Sequence, residues 1–413
     1  MRLELAVEAM RRIAPLHEPA DVGLRRFFQD NPKAGRSERA FVAETVFGIL
    51  RKRSFIDHVL EKVDGKHGAP RKTVLAYLSR IEGMNLRELQ PYLSESEEKW
   101  LASVKAVQIE DMPLEVKAEL PPWVVSRLKS FMGDEEILAL GRSLQQQAPL
   151  DLRVNTIKAN REEVMAELGG EATRYSPVGV RIMDKFALNE NTLFLEGKVE
   201  VQDEGSQLLG YIVSPKRREM VVDFCAGAGG KTLMLGALMG SAGRLYAFDV
   251  SEKRLNNLKP RLKRSGLSNV NPQLIQNEND IKVKRLSGKI DKVLVDAPCS
   301  GLGTLRRNPD LKWRQSEESL DELAKKQAAI LAGASVLVKP GGRLVYATCS
   351  ILPEENQEII AAFLESHPQF ELLDCSEILK SQHIELDTGK YLELRPDTHG
   401  TDGFFAAAMS RKA

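Results

Sequence analysis

Two of the four cysteines, Cys299 and Cys349, each stand at the end of a short apolar run. Lys292–Ala297 leads into Asp296-Ala-Pro298-Cys299-Ser300-Gly301, and Gly342–Cys349 closes with Ala347-Thr348-Cys349-Ser350. If both runs are neighbouring strands of a parallel sheet, their carboxyl ends open onto one crevice and set the two thiols a few ångströms apart, with Asp296 facing the same space. A lone free cysteine is most often a small buried hydrophobe. Two at matching strand ends, one of them beside a proline and an aspartate, point instead to chemistry. A thiolate is both a good nucleophile and a good leaving group, so it can divide one hard step into easier ones. Adding it to carbon 6 of a cytosine makes carbon 5 nucleophilic enough to attack a methyl sulfonium; carbon 5 then loses its proton and the thiolate is eliminated. A thiol with a pKa of about 8.5 needs positive charge nearby to ionise, for which Lys231 and the sulfonium are the candidates. Asp296 is the candidate for a carboxyl group hydrogen-bonded at the N3 edge of the base.

A second group of residues suits a cofactor. An apolar run ends in Asp223-Phe-Cys225-Ala226-Gly227-Ala228-Gly229-Gly230-Lys231-Thr232, ahead of a helical stretch. Glycines there let the backbone turn sharply and approach a ligand at the helix N-terminus. The next run ends in Asp249, 22 residues beyond Gly227, where a carboxylate can accept hydrogen bonds from ribose hydroxyls. Thr232 occupies the position of the third small residue that a pyrophosphate-binding turn requires, and the phosphate-loop pattern is missing as well. A nucleoside cofactor without a pyrophosphate, S-adenosylmethionine, therefore fits best, held at this loop and at Asp249.

The elements that must position these residues follow from periodicity. Residues 1–140 read as helices, with apolar positions at helical spacing in Leu3–Ile13, Ala40–Leu50 and Trp123–Met132. Basic clusters such as Arg51-Lys52-Arg53 interrupt that pattern, and a solvated helix face accounts for them as well as a binding surface does. Residues 145–214 read as a small α+β module: Leu150–Asn155 alternates like a strand, Arg161–Leu168 reads as a helix, and Val178–Met183 and Leu193–Leu195 read as further strands. From 215 to 413, strands at Met220–Cys225, Arg244–Val250, Gln273–Gln276, Lys292–Ala297 and Gly342–Cys349 alternate with helices. One helix is expected from the capping box Ser319-Leu-Asp-Glu322 to about Val338. Alternating β and α elements with continuous apolar strands predict an α/β, doubly wound, Rossmann-like domain with a parallel sheet.

Composition excludes several classes. The 413 residues carry a formal net charge of only +1, so any nucleic-acid surface must be a local patch. The four cysteines form no CxxC pair, the six histidines show no metal-ligand spacing, and no metal is expected. Free thiols suit a reducing cytosol. The first residues do not resemble a signal peptide, and the longest apolar run, Ile330–Val338, is too short to span a bilayer. A soluble cytoplasmic monomer is the expectation.

Over nearly its whole length the chain resembles the Fmu/Sun family of RNA cytosine-5 methyltransferases. That resemblance implies that Cys349, in Thr-Cys-Ser, is the nucleophile, and that Cys299, in Pro-Cys-Ser-Gly, assists breakdown of the covalent adduct. It implies that Cys225-Ala-Gly-Ala-Gly-Gly-Lys231-Thr232 is the cofactor loop, Asp249 the ribose-binding acid, and Asp296 an acid between cofactor and base. Arg306-Arg307-Asn308-Pro309-Asp310-Leu311-Lys312-Trp313 looks like the loop that follows the first cysteine motif, and Arg306, Arg307 and Lys312 are the expected phosphate contacts. Trp313 is expected to pack rather than to stack on a base. Thr401-Asp402-Gly403-Phe404-Phe405 looks like the last strand. Arg36-Ser-Glu-Arg39 through Phe47-Gly48-Ile-Leu-Arg51 is similar to the NusB-like, RNA-binding domain of the ribosomal-RNA members, which favours small-subunit ribosomal RNA as substrate. A transfer RNA target, or a non-catalytic RNA-binding scaffold, are the alternatives. Two departures stand out. Gly227-Ala228 replaces the usual Ala-Pro, which predicts a more flexible loop. Gln276-Asn277-Glu278-Asn279-Asp280 replaces the usual Gly-Asp facing the adenine, so that contact is not assignable to one residue.

Overall fold

The computed structural model describes residues 2–65, 68–183 and 187–413. The chain divides into two compact units: Met1–Gln147 with Thr304–Glu317, and Ala148–Gly303 with Glu318–Ala413.

The first unit is helical, with no strand among its described residues. Leu3, Ala6, Val7, Met10 and Ile13 form one stripe of helix Arg2–Ile13, which packs into a shared core with the apolar faces of Arg36–Arg51, Arg53–Asp64 and Pro70–Arg80. The helix expected over Trp123–Met132 is shorter, Pro122–Leu128. Thr304–Glu317, which the sequence assigns to the last domain, belongs to this unit. Trp313 packs against its core and donates its indole N–H to the Leu50 carbonyl at 2.8 Å. Lys312 is only 1% exposed, and its ammonium donates to the carbonyls of Glu119 (2.6 Å) and Arg51 (3.0 Å). Arg306 is 5% exposed, and its carbonyl accepts from the Arg51 guanidinium at 3.1 Å. Burial corrects the expectation of phosphate contacts at Lys312 and Arg306: an ammonium enclosed by protein carbonyls has no face left for a phosphate. Of that expected trio only Arg307, half-buried, reaches solvent.

The second unit holds two sheets. The smaller comprises β1 (Leu150–Val154), β2 (Glu171–Ala172), β3 (Gly179–Ile182) and β4 (Val199–Val201), antiparallel in the order β2-β3-β1-β4. The stretch Leu193–Leu195, expected as a strand, lies in a short helix, Thr192–Leu195, because the Asn191 side chain accepts from the Leu193 N–H and caps it. The edge strand is Val199–Val201 instead.

The larger sheet comprises β5 (Met220–Asp223), β6 (Arg244–Asp249), β7 (Val270–Leu274), β8 (Ile290–Asp296), β9 (Val338–Thr348), β10 (Phe370–Leu372), β11 (Tyr391–Leu394) and β12 (Phe404–Arg411). The order is β10-β12-β9-β8-β5-β6-β7, with β11 also paired to β12. β5 to β9 are parallel, and β12 runs antiparallel to β9. Successive residues of the central strands point to opposite faces. Val222, Tyr246, Val293, Val295 and Tyr346 enter one core, while Val221, Leu245, Leu294, Val345 and Ala347 enter the other. Both faces are covered, one partly by helix Glu204–Val213, every residue of which is buried. The helix before β9 is Glu317–Ser335, starting two residues ahead of the expected capping box and ending before Val338, which opens the strand. Between β5 and β8 the strand order reverses, and loops on either side leave in opposite directions. That opens a crevice beyond their carboxyl ends.

Candidate active site

The crevice is floored by the loop after β5. Gly229 has φ +85°, and a Cβ there would lie 2.1 Å from Leu258, so only glycine lets the chain turn into helix Gly230–Leu238. The loop expected to be loose is tied at successive residues. Ala226 N–H donates to the Phe248 carbonyl (2.8 Å), Gly227 N–H to Asp249 Oδ2 (2.8 Å) and Gly229 N–H to the Ala226 carbonyl (2.9 Å). Arg261 donates to the Ala228 carbonyl at 2.7 Å and pairs with buried Glu200 of β4 at 2.9 Å. Arg153 of β1 donates to the Gly230 carbonyl at 2.7 Å. Guanidinium groups from beyond the loop thus hold two carbonyls at its end. Sequence reasoning missed Arg153 and Arg261, since both look like surface charges.

Asp249 closes β6, and its two oxygens are anchored by the N–H groups of Gly227 and Ser251. Beside it a cavity of about 820 Å³ opens between Val250, Leu274, Asn277 and Ile281. These three aliphatic side chains are exposed, at 40–59%. Apolar walls next to an anchored carboxylate suit a nucleoside: the flat base against the aliphatics, the ribose at the acid. In the Gln276–Asp280 stretch, Asp280 accepts from the N–H groups of Gln276 and Lys282, and Asn277 from that of Asn279. Both side chains are engaged in shaping the turn.

Lys231 projects from the first turn of the following helix and pairs with Asp296 Oδ2 at 2.8 Å. Burial lowers the pKa of its ammonium, but Asp296 and the field of Cys349 outweigh burial and hold it above its ordinary value. Beneath this pair lies Asp223, buried, accepting from the Thr232 hydroxyl at 2.6 Å, with Oδ1 unpartnered among the described residues. Burial drives its carboxyl up to about 7, the Thr232 bond and Lys231 opposing, Asp296 and Asp249 adding. A carboxyl raised in the folded state stabilises the fold at low pH, and this contribution is lost as pH rises from the unfolded value through about 7. Asp223→Asn removes the titration, so its stability relative to the parent is expected to rise on the order of 2–3 kcal/mol from pH 5 to 8. Parallel pH dependences in urea unfolding would contradict it.

The thiols sit where β8 and β9 deliver them. With Asp296 opposite Ala347 in the parallel register, Cys299 and Cys349 emerge on adjacent loops. Their sulfurs are 3.3 Å apart, and the Cys349 N–H points at Cys299 Sγ, also at 3.3 Å. The hydrogen bond to Cys349, then burial, then the Cys349 charge push the Cys299 thiol well above the ordinary range. Cys225 lies on the loop after β5, packed against one core, where burial raises its thiol.

Another residue absent from the sequence reading is Glu355, in the turn Pro353–Glu355 after Cys349. Its carboxylate accepts from the Ser300 N–H (2.8 Å) and hydroxyl (2.6 Å), from the Ser350 hydroxyl, and from Gln327 Nε2 (2.9 Å). The signal available was one of two adjacent glutamates in the turn Pro353-Glu354-Glu355, which by themselves read as exposed.

Among the described residues no cluster of His, Cys, Asp and Glu could hold a metal ion, and no helix is long and apolar enough to cross a membrane. Residues 210–410 match the family model "16S rRNA methyltransferase RsmB/F", and residues 120–188 match its ferredoxin-like domain. The Synechocystis protein "Probable ribosomal RNA small subunit methyltransferase B" is 30% identical over 449 aligned residues, spanning 99% of both chains. The solved structure of PH0851 superposes with a TM-score of 0.81 at 30% identity, covering 99% of this chain and 98% of that one. A methyltransferase homologue from Pyrococcus horikoshii gives 0.62 at 27% identity, covering 72% of this chain and 97% of its own. With this likeness running from end to end, and the crevice of its sheet carrying both cysteine motifs, the chain belongs to the RsmB/F (Fmu/Sun) family of methyltransferases.

Proposed function

We propose that the protein transfers a methyl group from S-adenosylmethionine to carbon 5 of a cytosine in small-subunit ribosomal RNA, through a covalent bond between Cys349 and carbon 6. The observation that carries this reading is the pair of sulfurs 3.3 Å apart beside the Lys231–Asp296 pair. When bound, S-adenosylmethionine supplies an electrophilic methyl group; Asp249 would hold its ribose and the loop Cys225–Lys231 would surround it. Lys231 favours the thiolate of Cys349. That thiolate adds to carbon 6, and the electron pair of the 5,6 double bond becomes available at carbon 5 to take the methyl. Asp296 Oδ2 faces Lys231, while Oδ1, without a partner among the described residues, is placed to hydrogen-bond the N3 edge of the base. Carbon 5 then gives its proton to water, and the carbon 6–sulfur bond breaks with its electrons returning to Cys349. Cys299, its sulfur 3.3 Å away, hydrogen-bonds to that departing sulfur. Arg307 is the remaining candidate for a phosphate contact.

The test is transfer of labelled methyl from S-adenosylmethionine to unmodified ribosomal and transfer RNA, followed by nucleoside analysis. Label in 5-methylcytidine of small-subunit ribosomal RNA is expected; label confined to transfer RNA overturns the substrate, and label in another nucleoside overturns the mechanism. Cys299→Ala is expected to form the adduct and release it slowly, lowering turnover roughly 100-fold, the usual contribution of a positioned acid. An RNA–protein band stable to denaturing electrophoresis would be its signature. Loss of activity without that band would place Cys299 before the adduct rather than after it.

A further inference from the structure

We propose that Glu355 is a positioning residue that sets the distance between the two thiols. Ser300 follows Cys299 and Ser350 follows Cys349, and both serines donate to this one carboxylate. A single buried side chain thereby joins two loops that arrive from different strands. Four donors converge on its two oxygens, a demand that suits an ionised carboxylate, which accepts only. The serine hydroxyls are aimed by the backbone: Leu352 N–H donates to Ser350 Oγ at 3.1 Å and Leu302 N–H to Ser300 Oγ at 3.5 Å, which turns their own protons toward Glu355. Glu355 is itself held. Gln327 bridges its Oε1 and the Pro298 carbonyl, and the Tyr346 hydroxyl donates to its main-chain carbonyl at 2.7 Å. Pro298 precedes Cys299, and Tyr346 lies on β9 three residues before Cys349. The residues flanking each sulfur are therefore referred to one fixed charge, and the 3.3 Å separation follows from that frame rather than from direct packing of the sulfurs.

The consequence for turnover rests on the thiol roles proposed above, whereas the spacing does not, and the two are separable by experiment. An azo oxidant of the diamide type takes one hydrogen from each of two neighbouring thiols, joining them as a disulfide and becoming a hydrazine. Peptide mass spectrometry of the full chain then reads the rate at which Cys299 and Cys349 are joined. Glu355→Ala is expected to slow that rate at least about tenfold and to lower the methyl-transfer kcat roughly 100-fold, a loss of the size that follows a misplacement near 1 Å. The KM for S-adenosylmethionine should change less than about twofold, since the cofactor loop is untouched. Glu355→Gln, which keeps the shape but turns an NH2 toward two of the donors, should fall between. Disulfide closure in Glu355→Ala at the parental rate overturns the proposal. If that variant does not fold, Ser350→Ala removes one leg while keeping the carboxylate; it should close the disulfide several-fold slower, and an unchanged rate is equally fatal. Slow closure in Glu355→Ala combined with full methyl transfer by Cys349→Ala would leave the spacing role standing and overturn the nucleophile.

Discussion

Cys349→Ala is expected to lose methyl transfer by roughly 10⁴-fold or more while binding S-adenosylmethionine as the parent does. The size follows from removing a covalent nucleophile, whose loss typically costs as much as dismantling the whole catalytic group around it. Cofactor binding should survive because the residues proposed to hold it, Cys225–Lys231 and Asp249, are tied to β5, β6 and Arg261 rather than to Cys349. Calorimetric titration with S-adenosylmethionine, alongside transfer of labelled methyl, separates the two effects. Retained transfer would remove Cys349 as the nucleophile. Loss of both binding and transfer would indicate a collapsed crevice.

Lys312→Met should produce the largest change in stability. Lys312 is buried beside Glu119, which is also buried and accepts from the N–H groups of Ser54 and Phe55 at the start of helix Arg53–Asp64. The two charges stand 4.0 Å apart. Burial lowers the lysine pKa and raises that of the glutamate, each opposing the other's neutralisation by its charge. Removing one member leaves an uncompensated buried charge, at a cost of about 3–5 kcal/mol. The double variant Lys312→Met/Glu119→Gln should recover a substantial part, because a neutral amide still accepts from the helix N-terminus. Urea unfolding of the two variants against the parent decides it; a single-variant loss under about 1 kcal/mol would show that the pair is hydrated and weak.

What could be read from the chain alone divides along physical lines. β5, β6, β8 and the second half of β9 are legible because each carries a run of buried apolar residues bounded by Asp, Gly or Pro, as at Asp223, Asp249 and Pro340, whereas β7 (Val270–Leu274) holds Asn271, Pro272 and Gln273, is not buried, and starts three residues ahead of its expected place. The cysteine motifs are legible because strand-end position follows from that pattern. β4 is not, because Val199-Glu200-Val201 is three residues long and its central glutamate is buried only by pairing with Arg261 and Arg264, some sixty residues on. Leu193–Leu195 has too few residues to distinguish a period of 2 from one of 3.6. The same limit hides Lys312 and Arg306. Charged side chains read as exposed unless their partners are known, and the partner of Lys312 lies 193 residues earlier. Glu355 escapes notice likewise: one of the serines it binds is 55 residues away.

The inclusion of Thr304–Glu317 in the helical unit bears on how the protein is born. The first 147 residues leave the ribosome well before the segment that supplies Lys312 and Trp313 to the same core. Buried Glu119 thus waits for its lysine while some two hundred more residues are synthesised, and by then β5 to β8 have already emerged. The usual order, in which an N-terminal domain completes itself before the next begins, is not open to this chain. Its amino-terminal unit can reach its final stability only after most of the methyltransferase sheet has been made, which ties maturation of the two units to one late event in synthesis.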